Sequence, residues 1–360
     1  MAINELDQEK IEQLAGNVFD HLNGTMVIAM IWLGERLGFY KAMRGAGPMS
    51  TQALAEKMGL SERWVREWVH GQVAAGYINY DGDSQFELTN EAAAVLADEM
   101  SPAFSIGGIH HVPKLLGDTL FRIPECFRTG MGLTYDELGA EAATGVEGFF
   151  APWFRNSLVP VALPALTGVV EKLVAGARVA DIGCGTGLAL LEMAKAYPKS
   201  EYHGYELSQH ALKRANENLQ NTGLKNVSFH NVRDEQLPAD SSHDFILTFD
   251  CIHDMAHPTE AINAIRKAIK PDGTWFIADI HCGADLNENL KIDNPWLPML
   301  YGFSVLSCMS SSLSEPGGEG LGAVGFSSAV AERMTAEAGF TQFRSLDFEH
   351  PLNDYYEVRP

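Results

Sequence analysis

The stretch from Arg178 to Gly187 carries the residues best suited to bind a small molecule. It reads Arg-Val-Ala-Asp-Ile-Gly-Cys-Gly-Thr-Gly, so a short apolar strand leads into three glycines that open an apolar helix. Glycine has no Cβ atom, which lets the backbone turn tightly and approach a ligand, and the helix presents its unpaired N–H groups there. Nineteen positions after Gly187, a second apolar stretch ends in Glu206, whose two oxygens can hold a ribose diol. The spacing predicts a nucleoside-binding site.

The order of acid and glycines indicates which nucleoside is bound. Asp181 with the three glycines resembles motif I of class I S-adenosylmethionine (SAM) methyltransferases, D-x-G-x-G-x-G, and differs from the dinucleotide fingerprint G-x-G-x-x-G. A carboxylate attracts the ammonium group of an amino-acid tail and repels a pyrophosphate. The resemblance implies SAM as the cofactor, with Asp181 near its ammonium group and Glu206 on its ribose. The implied cofactor contacts are Asp181, Gly183, Gly185, Gly187, Glu206, Asp234 and Phe249.

After this motif, short apolar runs alternate with helical patterns. Such alternation predicts an α/β fold with a doubly wound, Rossmann-like sheet, whose ligands lie at the carboxyl ends of the strands. Helices are expected at 209–222 and 258–270, and a turn at 271–273. The predicted strands are 179–181, 201–206, 227–229, 245–249, 274–279, 342–348 and 355–358.

The segment after the fourth of these strands carries the candidate catalytic residue. His253-Asp254, a helix, and then Lys-Pro-Asp-Gly at 270–273 resemble the catalytic stretch of plant-type small-molecule O-methyltransferases. That family also has an N-terminal winged-helix dimerisation domain. The chain departs from the family in having Met255 where a tryptophan is usual, and in a long insert after the fifth strand. It also resembles bacterial SAM-dependent methyltransferases of largely unassigned substrate, which share His-Asp, Cys308-Met309 and Gly-Leu-Gly at 320–322.

A histidine at position 253 suits methyl transfer to a hydroxyl group. The hydroxyl must lose a proton as it attacks, and an imidazole with a reference pKa near 6.5 can accept that proton at neutral pH. A thiol acceptor is already partly ionised and needs less help. Two interpretations of His253 stay open here: a general base, or a residue that caps the next helix or hydrogen-bonds the loop. The role of Asp254 is unassigned.

The N-terminal 100 residues predict a mostly α-helical winged helix, with helices followed by a hairpin around the turn at 81–83. A DNA-binding helix normally carries cations. Residues 1–100 instead hold 7 Lys and Arg against 15 Asp and Glu, a balance of −8. This charge favours a dimerisation domain over DNA binding. We predict three domains: a dimerisation domain at 1–100, a helical linker to the substrate pocket at 101–170, and the SAM-binding catalytic domain at 171–360.

The linker and the insert are the expected source of the substrate pocket. The linker is rich in aromatic residues and is expected to contain a helix from Val159 to Leu173. The insert at 294–324 predicts either a helix that closes over the substrate or a helix packed between domains. The candidate substrate contacts are Tyr135, Trp153, Tyr301 and Cys308.

Composition limits the possible partners. The net charge of −21 and the pI near 4.9 disfavour nucleic acid and anionic membranes. No apolar run is long enough to span a bilayer. The five cysteines are scattered without a C-x-x-C pair, which predicts free thiols in the cytoplasm and no metal site.

Together these patterns predict a cytoplasmic, homodimeric SAM-dependent methyltransferase that acts on a hydroxyl group of a small molecule. Sulfur acceptors, such as a small thiol or thioether, and nitrogen acceptors stay open. A SAM-sensing winged-helix transcription regulator is the alternative from another class. A nicotinamide-dependent oxidoreductase is disfavoured by the glycine spacing.

Overall fold

The computed structural model describes residues 6–348, 350 and 352–360, which fall into two compact units. The first unit runs to His110 and the second starts at His111. The segment predicted as a linker, 101–170, therefore lies for the most part in the same unit as the sheet.

The first unit is the predicted winged helix. Its hairpin pairs β1 (Asn79–Tyr80) with β2 (Phe86–Glu87), and Met49 forms a further antiparallel bridge to Phe86. Trp68 lies in the core and donates its indole N–H to the carbonyl of Met30 at 2.8 Å. The helices are Gln8–Leu37, Phe39–Met43, Thr51–Met58, Glu62–Ala74, Asn90–Leu96 and the short 3-10 turn Gly107–Ile109.

The second unit begins with a series of short helices. The helix predicted from Val159 to Leu173 is wrong as a single element. Helical backbone ends at Ala165 and starts again at Val169, because Gly168 adopts a left-handed φ of 71° between them. The helical segments are Val112–Lys114, Leu115–Thr119, Leu120–Thr129, Tyr135–Leu138, Gly139–Trp153, Phe154–Ala162, Leu163–Ala165 and Val169–Ala175.

The sheet of the second unit has the predicted doubly wound form. Among the described residues its strand order is β5-β4-β3-β6-β7-β9-β8, with β3 to β7 parallel and β9 antiparallel to both neighbours. The sequence-based fold class is confirmed. The strands are β3 (Arg178–Ile182), β4 (Glu201–Glu206), β5 (Val227–Asn231), β6 (His243–Phe249), β7 (Ile269–Ile280), β8 (Gln342–Leu346) and β9 (Asn353–Arg359).

Strand β7 is longer than its prediction. Its pairing with β6 jumps from His243↔Ile269 to Phe245↔Thr274. Between these two pairs, residues 270–273 of β7 have no partner on β6. The predicted turn at 271–273 therefore forms a bulge within the strand.

Apolar clusters cover both faces of the sheet, as expected for parallel strands buried on both sides. The remaining helical segments are Leu188–Ala196, Gln209–Thr222, Ile252–Asp254, Pro258–Ala268, Leu286–Asn289, Leu297–Phe303, Ser304–Cys308, Met309–Ser312 and Ser328–Glu337.

In the described part of the chain, no single helix is long and apolar enough to cross a membrane. One bent pair, Tyr135–Ala165 with Val169–Ala175, passes the same test of length and composition when taken together.

Candidate active site

A cavity of about 510 Å³ opens at the carboxyl ends of β3, β4 and β6. Aromatic and aliphatic side chains form most of its wall. None of the described residues that line it is a lysine or an arginine. The acids that line it are Glu147, Asp181, Glu206, Asp250, Asp254, Glu260 and Glu315.

The glycine loop forms one wall of this cavity. Gly183 and Gly185 line it with left-handed φ angles of 69° and 54°, and the space where a Cβ of Gly185 would stand is open. Gly187, with φ 77°, has a different role. A Cβ there would lie 2.2 Å from the ring of Phe229, so this glycine allows close packing of the loop on β5.

Glu206 is fixed at the end of β4 by backbone donors and is only 8% exposed. Its Oε2 accepts the N–H of Gly185, and its Oε1 accepts those of Leu207 and Ser208, each at 2.8 Å. Burial raises the pKa of Glu206, and the three backbone hydrogen bonds act in the opposite direction. The carboxylate thus holds the glycine loop while it faces the cavity.

Asp181 ends β3 beneath the glycine loop and is 2% exposed. Its Oδ1 is buried and has no hydrogen-bond partner among the described residues. Burial, reinforced by the charge of Glu206, raises the pKa of Asp181 well above its usual range. A buried carboxylate oxygen without a partner is costly, and a cationic donor in the cavity would satisfy it.

His253 follows β6 and is 2% exposed, between two carboxylates. Its Nδ1 lies 2.5 Å from Oδ1 of Asp279, and its Nε2 lies 3.2 Å from Oδ1 of Asp254. Burial by itself lowers the pKa of His253, but the charges and hydrogen bonds of Asp279 and Asp254 outweigh it and raise the pKa well above its usual range. Asp254 lines the cavity, whereas His253 lies behind it.

Cys308 and Asp250 lie close to His253 and Asp254. The side-chain atoms of His253, Asp254 and Cys308 that are able to bind a metal ion lie within 4.8 Å of one another. Asp250 lines the cavity with a left-handed φ of 44°, and its Oδ1 accepts a hydrogen bond from the amide of Asn353. A non-glycine residue in this conformation is strained, and such strain is commonly found at functional sites.

The structure brings most of the predicted cofactor residues together. Asp181, Gly183, Gly185, Glu206 and Phe249 all line the cavity. Asp234 does not, since it is exposed on the loop after β5. In its place, that loop contributes Val232, Gln236 and Leu237.

Of the four predicted substrate residues, only Tyr135 lines the cavity. Cys308 lies behind the cavity wall beside Asp254. Trp153 and Tyr301 are not among the lining residues. Trp153 stacks on Tyr355 with ring centroids 5.3 Å apart, and Tyr301 is 37% exposed.

Sequence reasoning missed Asp250 and Asp279. Both stand at the carboxyl ends of adjacent strands, where a doubly wound sheet places its ligands. Position at a strand end was therefore the available signal. Nothing in the sequence signalled Glu147, which reaches the cavity from Gly139–Trp153 and is paired with Arg214 at 2.9 Å.

Comparison with known families assigns the two units. Residues 173–313 match the family model described as a methyltransferase domain. The chain carries a methyltransferase domain. Residues 25–98 match the Rv2258c-like winged HTH domain, which confirms the predicted winged helix.

Curated relatives of this chain include several O-methyltransferases, two of which are described here. The ubiquinone biosynthesis O-methyltransferase of Ralstonia nicotianae is 30% identical over 112 residues, 31% of this chain and 46% of that protein. An O-methyltransferase of Aspergillus nomiae is 28% identical over 168 residues, 43% of this chain and 73% of that protein. The chain thus matches between about half and three quarters of the length of these relatives.

Solved structures resemble the chain over its full length. The mitomycin 7-O-methyltransferase covers 98% of this chain and 99% of its own at 19% identity, with a TM-score of 0.68. Human N-acetylserotonin methyltransferase, solved in complex with SAM, covers 100% and 99% at 15% identity, with a TM-score of 0.69. At these identities the likeness shows that the methyltransferase domain and the winged helix share a fold with these proteins.

Proposed function

We propose that this chain is a SAM-dependent methyltransferase that methylates a hydroxyl oxygen of a small molecule. The observation that carries the proposal is the convergence of Asp181, the glycine loop and Glu206 on one cavity of a methyltransferase domain. The names of the four relatives and structures described above, which are all methyltransferases, support the same reaction.

The residues fit the cofactor at both of its polar ends. The unpartnered Oδ1 of Asp181 suits an ammonium group, and Glu206 suits the two hydroxyls of a ribose. When bound, SAM supplies a methyl group activated by a positively charged sulfur. A dinucleotide fits less well, because its pyrophosphate would meet acids and neither lysine nor arginine in the described lining of the cavity.

His253 is the proposed general base. Asp279 fixes the proton on Nδ1, so that Nε2 is the nitrogen left to accept a proton. The acceptor oxygen forms its bond to the methyl carbon while the carbon–sulfur bond breaks, and the hydroxyl proton passes to Nε2. The remaining work is alignment, which the aromatic wall around Tyr135 and Phe150 supports. This chemistry needs no metal ion.

The winged helix is proposed to form a homodimer. The helix Gln8–Leu37 exposes a series of large apolar side chains. Contiguous apolar surface of this kind marks an interface. The acidic balance of the unit argues against DNA as the partner. The exposed side chains are Ile11, Leu14, Val18, Phe19, Leu22 and Met26.

The free state of all five cysteines supports the cytoplasm as the compartment.

Transfer of a radiolabelled methyl group from SAM to a panel of small alcohols, phenols and thiols tests the proposal. Labelled ethers that still form in the presence of a chelator would support it. Labelled thioethers alone would favour a sulfur acceptor. If SAM binds without any transfer, and the protein is retained on DNA at moderate salt, a SAM-sensing regulator would be the better account.

A further inference from the structure

Asp254 stands between the proposed base and the cavity. Its Oδ1 lies 3.2 Å from Nε2 of His253, and it lines the cavity while His253 does not. Oδ1 is buried, and apart from this contact with His253 no described residue donates a hydrogen bond to it. A hydroxyl acceptor can reach Nε2 only if this carboxylate finds another partner.

The described lining of the cavity offers no free cation as such a partner, because its histidine, His257, lies 3.5 Å from Oε2 of Glu315. The same lining holds seven acids and neither lysine nor arginine. Glu147 has its own cation in Arg214, and Asp279 adds further negative charge beside His253. Burial and the charge of Asp279 raise the pKa of Asp250 well above its usual range. The ammonium group of SAM is assigned to Asp181, and its sulfonium has no proton to donate. A cation that draws Asp254 away from His253 must therefore arrive with the methyl acceptor.

We propose that the methyl acceptor carries a protonated amine in addition to its hydroxyl group, and that this amine pairs with Asp254 and thereby frees Nε2 of His253. The inference rests on the proposed methyl transfer. The ammonium group keeps its protons, and the hydroxyl proton passes to Nε2 as the oxygen–carbon bond forms and the carbon–sulfur bond breaks. Acceptors that carry a carboxylate are excluded by the same acids.

Binding to the protein loaded with S-adenosylhomocysteine tests this directly, because no methyl group can then be transferred. The probes are tyramine, 3-hydroxybenzylamine and 3-amino-1-propanol, each compared by calorimetry with its N-acetyl form and with the carboxylate of matching length. We expect at least one amine to bind about tenfold or more tightly than its N-acetyl form, and its carboxylate not to bind measurably.

Two variants test whether Asp254 itself, and not the overall negative charge of the chain, causes the preference for the amine. Asp254→Asn should abolish the preference for the amine. Asp118→Asn, which removes an exposed acid that does not line the cavity, should retain it. In NMR titrations, binding of the amine should also lower the pKa of His253, assigned by comparison with His253→Gln, because the amine takes Asp254 away from the imidazole.

The inference is overturned if no amine binds, if the N-acetyl or carboxylate probes bind as tightly, or if Asp254→Asn keeps the preference. S-adenosylhomocysteine binding is measured in the same titrations. Its absence would count against the proposed methyl transfer, whereas normal binding without amine preference would count against this inference alone.

Discussion

Nδ1 of His253 lies 2.5 Å from Oδ1 of Asp279, and both side chains are almost fully buried. The contact follows from the sheet, because β6 and β7 are parallel neighbours in which Phe249 pairs with Ala278. Asp279 directly follows Ala278, and His253 lies four residues after Phe249, so their side chains come close together. Asp279 fixes the imidazole in one tautomer, which is the arrangement a general base requires.

Replacing His253 should separate catalysis from cofactor binding. His253→Ala is expected to reduce turnover about a hundredfold or more with nearly unchanged SAM affinity, because the imidazole acts on the acceptor proton. Asp279→Asn should lower kcat while leaving the SAM Kd unchanged, because Asp279 acts on the tautomer and the pKa of His253 and does not line the cavity. Steady-state kinetics and calorimetry measure both. Equal turnover in His253→Ala would remove the base and favour a sulfur acceptor that needs only alignment.

The pH dependence of kcat/KM should reflect the two carboxylates. His253 must be neutral to accept a proton, and its raised pKa places the rising limb of the free enzyme above pH 6.5. Asp254→Asn removes one of the charges that raise this pKa, so the limb should move to lower pH. A limb that stays in place would show that another group controls the profile. A pH–rate series on both proteins is the measurement.

Replacing two glycines by alanine should distinguish a loss of SAM affinity caused by filling the cavity from a loss of stability caused by backbone strain. Gly185 lines the cavity with φ 54°, and Gly223 ends a helix away from it with φ 71°; neither Cβ would meet an atom within 4 Å. Both substitutions carry a strain cost of about 1 kcal/mol. Only Gly185→Ala should weaken SAM binding, because its methyl group enters the cavity. Calorimetry and thermal unfolding report the two effects, and equal SAM affinity in both variants would contradict the assignment of the loop.

His243 should make stability depend on pH. Burial, with a further contribution from the charge of Arg178, lowers its pKa from 6.5 to about 4. The unfolded chain then binds a proton that the folded chain does not, so stability falls as the pH drops from 6.5 towards 4. Over that window the wild type should lose on the order of 3 kcal/mol more than His243→Gln. His210→Gln, at an exposed position, should follow the wild type in denaturant unfolding, and parallel curves for all three would refute the assignment.

The sequence predicted the strands and the cofactor loop because both rest on local patterns. The Gly183 loop and Glu206 follow from motif spacing, and the structure places both at the cavity. The partners of His253 could not be predicted from spacing, since Asp279 is 26 residues away and is brought close only by the register of β6 and β7. The surroundings of Trp153 could not be predicted for a related reason. An aromatic residue in an apolar helix looks the same whether it faces a cavity or stacks on Tyr355.

Calorimetric titration with SAM of the wild type, Glu206→Ala and Glu201→Ala tests the central claim most directly. Glu206 lies at the cavity end of β4 and Glu201 at the exposed opposite end of the same strand. We expect micromolar binding to the wild type and to Glu201→Ala, and its loss in Glu206→Ala with the fold retained by circular dichroism. No binding to the wild type, or equal binding to both variants, would contradict a SAM site at this cavity.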